Sequence, residues 1–511
     1  MKFEQQLECL ALPKFRGYYL NYNALKKAVE VFTGQERDQS TVQEVTHWTS
    51  SFLRLGPNPE VPPEAKLREI LEKELERVSK FAEMEANAIH TNLSKLAADA
   101  KAAGRSMNAD VARKESLCNS LDALGDQTAD LKSFTLLNFT GFRKILKKYD
   151  KWSKSSVLPW FMMVVVKSPL MTIDFEGFIQ SLNSCAVTIG PRHALERTRS
   201  KPDVPIVGHL SYLVDPQDAM RVRVELAKRL VLTADSIHLR GPSTGYTKVS
   251  SLAQRTSVVY FDTPDLGAYS ARVVGVPSSE EAEDGTTKAP SDYVCVRFGK
   301  SDAAKVVAEA KGDTGSIEVE LPKSAVTQLF RGAAPILKDA ANSGVLARIA
   351  QSVRETQLCP VVLVTSSYAA FDEQSTGLKV VLEDEVKFSN IPQGASWDNV
   401  PSSGSVHFPY AILTISPAPG TTAIAPRWLS HLDKIATLIQ VSGFQLGIHA
   451  EAHFRARGSG LPLPHWYRSV ISEEDDAEHG SEQGAKADKA AAALKPMSPQ
   501  RTPSEAGVAG G

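Results

Sequence analysis

Between Glu64 and about Lys101 the chain places apolar residues at 67, 70, 71, 75, 78 and 81, with strong helix formers between them. At 100° per residue these positions fall on one side of a single long helix. A stripe of that length must be covered by other helices, which makes the segment part of an antiparallel bundle. The stretch from Leu136 to Lys151 is helix-like as well, Thr140-Gly141 notwithstanding, and Pro and Gly gather in one short stretch, Gly56-Pro57-Asn58-Pro59 through Pro62-Pro63. Residues 1–155 therefore read as an all-α helical bundle.

The texture changes at about residue 206. Short β-branched or alternating runs follow at Val258–Phe261, Tyr293–Phe298, Ile317–Leu321, Val361–Val364, Leu378–Leu382 and Tyr410–Ile415, separated by turn residues; these predict strands. Helices are expected at about 216–232 and 428–442. Strands with helices set between them indicate an α+β domain on antiparallel strands, over 206–472. Residues 156–205 form a connecting helical segment ending in Arg199-Ser200-Lys201-Pro202, and 276–291 read as a loop insertion. From Glu473 the chain turns acidic, then rich in Ala, Gly, Ser and Pro, so 473–511 are expected to be a disordered tail. A multidomain chain also follows from length, since 511 residues exceed one hydrophobic core.

Bulk properties exclude several classes. The formal net charge is −1, so affinity for polyanions must come from a local patch. Nucleic acid would need a broader basic surface. Five scattered cysteines without metal-ligand spacing point to a reducing compartment, with no disulfide framework or zinc site. The N-terminus lacks a signal-peptide layout. The most apolar run, Val157 to Val166, is half the length a membrane-spanning helix needs, and reads as a buried segment. No Walker loop, Gly-rich dinucleotide turn or Gly-x-Ser-x-Gly elbow is present. His449 and His453 are four apart, but no third ligand accompanies them, so no metal site and no catalytic residue is assigned. His431 and Asp433 are expected to face solvent.

The strongest chemical pattern lies near 142–151. Phe142, Ile145, Leu146 and Tyr149 fall on one helical face, and Lys144, Lys147, Lys148 and Lys151 on the opposite one. Like charges at i, i+4 and i+7 repel, a cost that an external polyanion would convert into binding. Tyr22 and Lys26, one turn apart, could offer a hydroxyl and a charge to the same ligand. On spacing alone, a solvated lysine face remains the competing reading.

Three segments carry a resemblance: Met1-Lys2-Phe3, Tyr22-x-x-Leu25-Lys26, and Gly141-Phe142-Arg143-Lys144-Ile145-Leu146-Lys147-Lys148-Tyr149-Asp150-Lys151. In this order they resemble the signature segments of the SPX family. Two departures, Glu4 where Gly is usual and Phe15 where Trp is common, fall on no expected ligand position. The resemblance implies an inositol pyrophosphate as a regulatory ligand, with no other cofactor. It implies Tyr22, Lys26 and Lys148 as the central phosphate contacts, with Lys144, Lys147 and Lys151 extending them and Lys2 assisting.

Residues 206–455 resemble the catalytic domain of the vacuolar transporter chaperone family, an antiparallel β-barrel tunnel that makes polyphosphate from ATP. The motifs are Tyr212-Leu213-Val214-Asp215-Pro216, Val259-Tyr260-Phe261-Asp262 and Phe408-Pro409-Tyr410-Ala411-Ile412-Leu413. Most basic positions of that family are absent. Ser211 stands for a lysine, Cys295-Val296-Arg297 for an Arg-x-Arg strand, Glu309-Ala310-Lys311 for Glu-Arg-Lys, and Tyr368 for an arginine, while Lys379 keeps its charge. Thr414-Ile415-Ser416 replaces Glu-x-Lys, which removes the metal carboxylate and a lysine together, and Ser442-Gly443-Phe444 replaces Ser-Lys-Phe. Arg297, Lys311 and Lys379 remain as residual phosphate contacts or as solvated strand residues. The expectation is a pseudoenzyme domain behind a phosphate-status sensor, acting as a regulatory or scaffolding subunit with other polyphosphate-polymerase subunits. It would be cytoplasmic, with any attachment to the vacuolar membrane indirect, through a partner. Two alternatives stay open: an active polyphosphate or triphosphate enzyme, and a cytosolic SPX adaptor for a signalling partner.

Overall fold

The computed structural model describes residues 3–53, 62–103, 110–190, 205–206, 209–233, 254–273, 292–299, 302–310, 316–335, 340–373, 376–392, 394–397, 404–417, 423–426, 428–456 and 460–470. Lys2, Lys311, the insertion at 276–291 and the tail from 473 lie outside them. The chain divides into two units, Met1–Pro464 and His465–Gly511.

Among the described residues the first unit begins with seven α-helices: α1 (Phe3–Leu10), α2 (Tyr22–Phe32), α3 (Gln39–Leu53), α4 (Pro63–Ala103), α5 (Val111–Ser153), α6 (Val157–Lys167) and α7 (Phe175–Ile189). The periodic stripe at 67–81 lies in α4, and all six of its apolar positions are buried. Leu136–Lys151 is the last part of the 43-residue α5. Gly141 lets the N-terminal segments come close to α5, since a Cβ there would meet Leu20 Cδ2 at 2.9 Å and Phe3 Cε1 at 3.5 Å. Asn138, also on α5, fixes the same junction by accepting the Leu20 N–H at 2.7 Å.

The run at 157–166 corrects an expectation. It forms α6, but only Val157, Phe161 and Val165 are buried. Trp160, Met163 and Val166 on the other side are about half exposed, at 44%, 56% and 49%. A helix apolar on every side can bury only the stripe that meets its neighbour, here α5.

The remaining elements are β1 (Pro205–Ile206), β2 (Leu210–Val214), α8 (Ala219–Arg229), β3 (Val231–Thr233), β4 (Gln254–Asp262), α9 (Gly267–Val273), β5 (Asp292–Phe298), β6 (Ala303–Ala310), β7 (Ser316–Pro322), α10 (Lys323–Leu329), α11 (Ala340–Thr356), β8 (Cys359–Glu373), β9 (Leu378–Asn390), β10 (Val406–His407), β11 (Ala411–Ser416), β12 (Ala423–Ile424), α12 (Leu429–Ile435), β13 (Leu438–Gln440) and α13 (Leu446–Glu451). Strands pair in the order β13-β2-β11-β9-β8-β4-β5-β6-β7, with β10 on β9 and β3 on β8, and every pairing is antiparallel. Among the described residues the ladder ends at β13 and β7. The second unit contributes the short helix α14 (Tyr467–Val470).

One helix expected over 428–442 is instead α12 followed by the edge strand β13, whose Leu438 and Gln440 pair with Val214 and Tyr212. The open edge of β2 satisfies backbone groups that a longer helix would have paired internally. Sequence reading also passes over β6, because Ala303-Ala304-Lys305-Val306-Val307-Ala308-Glu309-Ala310 has helix-like composition; its two neighbours, β5 and β7, make it a central strand.

Helices cover one face of the sheet. Val214, Phe371, Val380, Leu382, Leu413 and Ile415 share a core with the bundle and α8. Val259, Phe261, Val294, Val296, Val306 and Val319 pack with Leu346 and Ile349 of α11.

The bundle and the sheet meet at α8, where a polar seam is buried. Lys228 Nζ lies 3.0 Å from Asp122 of α5 and pairs with Glu225, which also pairs with Arg229. Arg223 pairs with Glu176 of α7. Asn183 of α7 donates to the Ala227 and Leu230 carbonyls at 2.7 and 2.6 Å, satisfying the end of α8. The Lys228 side chain is 4% exposed and that of Glu225 7%, whereas Asp122 is 35% exposed, so removing the lysine leaves Asp122 to water and the buried Glu225 still paired with Arg229. Lys228→Ala should lower the free energy of unfolding by roughly 1–3 kcal/mol, measured by denaturant titration. Burial pushes the Glu225 carboxyl up, but Lys228 and Arg229 outweigh it and hold the group below its ordinary range. A carboxylate depressed in the folded state stabilises above its unfolded pKa and loses that contribution as pH falls through the folded value. Thermal stability should therefore drop on acidification into and below the carboxylate range, and Glu225→Gln should flatten that part of the profile.

Candidate functional site

The lysine surface is built from α1, α2 and α5. Asn21 caps α2 by accepting the Ala24 N–H at 3.3 Å, and its own N–H donates to buried Glu74 at 3.1 Å. This fixes the first turn of α2, which carries Tyr22 and Lys26. On α5, Phe142, Ile145 and Leu146 are fully buried and Tyr149 is 4% exposed. That anchoring turns Lys144, Lys147 and Lys151 to the exposed side and leaves Lys148 half-buried at its edge.

The structure brings together Tyr22, Lys26 and Lys148. Lys148 Nζ lies 2.6 Å from Glu30 Oε1 and 4.4 Å from the centre of the Trp152 ring. Glu30 sits one helical turn beyond Lys26 on α2, so this contact draws α5 to the face that carries Lys26. Lys26 Nζ is 2.9 Å from Glu4 Oε2 of α1. Hydrogen bonding to Glu4 raises the lysine's pKa, outweighing partial burial. Burial raises the Tyr22 hydroxyl's pKa; Lys26 opposes this, and Glu4 and Glu30 add to it. Tyr22 is thus a protonated donor among charges, with its ring edge-on to Phe3 at 4.8 Å.

Glu4, which the sequence reading set on no ligand position, lies against one of the expected ligand residues, Lys26. Neither Glu4 nor Glu30 could be found from helix periodicity, because each meets its lysine across a helix–helix contact. A groove of ≈ 860 Å³ adjoins the cluster and is lined by Glu4, Tyr22, Trp48, Phe52 and Arg77, among others; the lysines do not line it. The cluster is a charged surface rather than a cleft.

The second candidate region is the sheet face turned away from the apolar cores. Register puts Ser211, Thr414 and Val381 in one cross-strand row on this face, and Ser416 opposite Lys379. The positions where the family resemblance places a lysine and a metal carboxylate are thus neighbours here, both filled by hydroxyls. Arg297, Lys305 and Lys379 stand on this face, and each meets an acid. Lys305 is opposite Glu320, and Lys379 opposite Asp372. Arg297 donates to Tyr368 Oη at 3.4 Å and lies over its ring at 4.8 Å, within the field of Glu383. Burial raises the Glu383 carboxyl, opposed by Arg297 and by Ser366, which donates to it at 3.0 Å. Glu318 lies on the same face, so the described residues there carry no excess of positive charge. Val258, Cys295 and Val307, packed with Tyr260, make part of it apolar.

One end of this face is occupied by α13, all of whose residues are buried. Tyr293 Oη donates to Glu451 Oε1 at 2.7 Å. Burial and nearby Asp262 push the Glu451 carboxyl well up, and burial raises Asp262 as well, opposed by the N–H groups of Thr263, Ala268 and Tyr269 that it accepts at 2.6–2.8 Å. His449 lies 5.1–5.8 Å from the rings of Phe388, Phe408 and Phe444, and burial lowers its pKa to about 3. A neutral imidazole in a phenylalanine cage fits a core residue. Among the described residues no group of His, Cys, Asp and Glu is arranged to hold a metal ion, and no helix is long and apolar enough to cross a membrane. His431 and Asp433 are exposed.

Comparison with known proteins places two domains on this frame. The family model described as "SPX domain" matches residues 129–165, within α5 and α6, and that described as "VTC domain" matches 208–450. The chain carries an SPX domain followed by a VTC domain, and its relatives are vacuolar transporter chaperone subunits and SPX proteins. Vacuolar transporter chaperone complex subunit 2 of Toxoplasma gondii is 44% identical over 14% of this chain and 5% of its own length. Subunit 4 of that complex from Schizosaccharomyces pombe is 23% identical over 91% of this chain and 66% of its own length. The chain thus spans less than two thirds of these relatives. A solved SPX domain of Chaetomium thermophilum glycerophosphodiester phosphodiesterase 1, in complex with inositol hexakisphosphate, is 22% identical with a TM-score of 0.29, covering 37% of this chain and 97% of that one.

The seating of α13 can be tested at Gly447, where a Cβ would fall inside contact distance of the Tyr260 ring and Tyr293 Oη. Alanine normally stabilises a helix by about 1 kcal/mol relative to glycine. Gly447→Ala should instead destabilise by roughly 1–3 kcal/mol through overpacking, read by thermal unfolding.

Proposed function

We propose that this chain is an inositol (pyro)phosphate-binding sensor of phosphate status, working as a regulatory or scaffolding subunit linked to polyphosphate synthesis. The observation that carries the reading is the convergence of Tyr22, Lys26 and Lys148 from two helices, with Lys144, Lys147 and Lys151 extending the same surface. A clustered ammonium surface suits a ligand bearing several phosphates, which can neutralise many lysines at once. Lys2 joins this set by resemblance alone. The VTC domain and the chaperone-subunit relatives support the link to polyphosphate synthesis and to partner subunits at a vacuolar membrane, where the chain would be held through those partners.

The VTC domain is, in this reading, catalytically degenerate. Polymerising a triphosphate requires fixed positive charge and a metal carboxylate facing the reacting phosphates. Here hydroxyls fill the row at Ser211 and Thr414, and acids stand beside the basic residues that remain. Arg297 and Lys379 could still touch phosphate weakly, and Lys311 is kept as a third contact from the sequence. Communication between the domains would run along α5. Its Lys148 and Asp122 are 26 residues apart, about 39 Å along the helix, and Asp122 lies in the seam with α8. Ligand would act by binding one arrangement of the α5–α8 contact better than another.

Two experiments test the reading. Changing Lys144, Lys148 and Lys151 together to Ala should abolish calorimetric binding of inositol hexakisphosphate while the helical circular dichroism is kept; unchanged affinity would sink the site. Full-length protein incubated with ATP and manganese, with and without an inositol pyrophosphate, should make no polyphosphate. Product that rises with the inositol pyrophosphate would establish a regulated polymerase instead, with Glu383 the first acid to examine as a displaced metal ligand.

A further inference from the structure

Both central lysines are paired with carboxylates. Glu4 holds Lys26 at 2.9 Å, and Glu30 holds Lys148 at 2.6 Å, whereas Lys144 and Lys151 on the same α5 face are exposed. The acids come from different helices, α1 and α2, and the field of each reaches the Tyr22 hydroxyl. Glu30 is one turn from Lys26, so its field reaches both lysines, and it contributes to raising the pKa of Lys26. The acidic side chains are only 33% and 25% exposed, with no space for a bound phosphate to ignore them.

We propose that Glu4 and Glu30 are built-in counter-anions that set the affinity of the lysine surface. Phosphate groups reach Lys26 and Lys148 only by displacing a carboxylate from each, and the displaced acids then stay beside the bound polyanion. The site therefore fills at a higher ligand concentration than its lysines alone would dictate. This inference rests on the inositol (pyro)phosphate reading of the surface and adds the residues that fix its working range. The ion pairs themselves contribute little at this exposure. The larger effect is repulsion between each carboxylate and a ligand of high negative charge, which acts at short range and is screened by salt.

The test is titration calorimetry of the full chain with inositol hexakisphosphate, comparing the wild type with Glu4→Gln, Glu30→Gln, the double variant and Lys148→Ala. Each glutamine should tighten binding by roughly three- to tenfold, and the double variant by more. The variants' affinity should also fall more steeply with added NaCl, because the surface carries more net positive charge. If the acids only staple α1 and α5 to α2, the glutamine variants will melt earlier and bind no more tightly, which overturns the proposal. Should Glu4→Gln lose helical signal through detachment of α1, Glu30→Gln, within the longer α2, decides the question by itself. Loss of binding in Lys148→Ala with unchanged glutamine variants refutes the counter-anions alone. Wild-type binding by Lys148→Ala refutes the lysine site beneath them.

Discussion

A lysine ammonium buried between Asp122 and Glu225 holds the two halves of this molecule in register. Burying Lys228 costs hydration, and the cost is met only where both carboxylates are in place. Apolar packing between α8 and the bundle is tolerant of small rotations, whereas this ion cluster and the Asn183 contacts with the Ala227 and Leu230 carbonyls are satisfied in one arrangement. The seam thus supplies specificity where the surrounding core supplies most of the stabilisation. It also places α5 in both domains' environments, with its middle against α8 and its end bearing the lysine surface.

The two candidate surfaces differ in how charge is distributed. On α5, four lysines share one side of a helix whose other side is anchored by Phe142, Ile145 and Leu146. The repulsion among them is tolerated because that anchoring is strong. On the sheet, Arg297, Lys305 and Lys379 are spread over three strands, with Glu383, Glu320 and Asp372 among their neighbours. A local excess of positive charge exists in the first case and is cancelled in the second, although the chain's net charge is close to zero.

Much of the fold could be read from residue order. The 3.6-residue stripe of α4 and the β-branched runs of β4, β5, β8 and β11 were legible because burial on one side imposes a period. What escaped was set by neighbours. The alanine-rich β6 is a strand because β5 and β7 offer it partners, and Leu438–Gln440 is a strand because β2 has an open edge. Trp160, Met163 and Val166 remain exposed because α5 covers only one side of α6, something no hydropathy window contains. Within the site, the lysines were legible as a helical face, while Glu4 and Glu30 were not, since each reaches its lysine through a contact between separate helices.

The sequence by itself determined the helical first part and strand-rich second part, the face on which Lys144, Lys147, Lys148 and Lys151 stand, and the hydroxyl side chains at Ser211, Thr414 and Ser416. Each of these follows from local periodicity or from residue identity. Only the tertiary structure decided that Lys26 and Lys148 are already engaged by acids, that Ser211 and Thr414 are cross-strand neighbours, and that α8 joins the bundle to the sheet through buried charge. Those features depend on distances between residues tens to hundreds of positions apart. Long-range electrostatics and packing fix such distances, and local patterns carry no record of them.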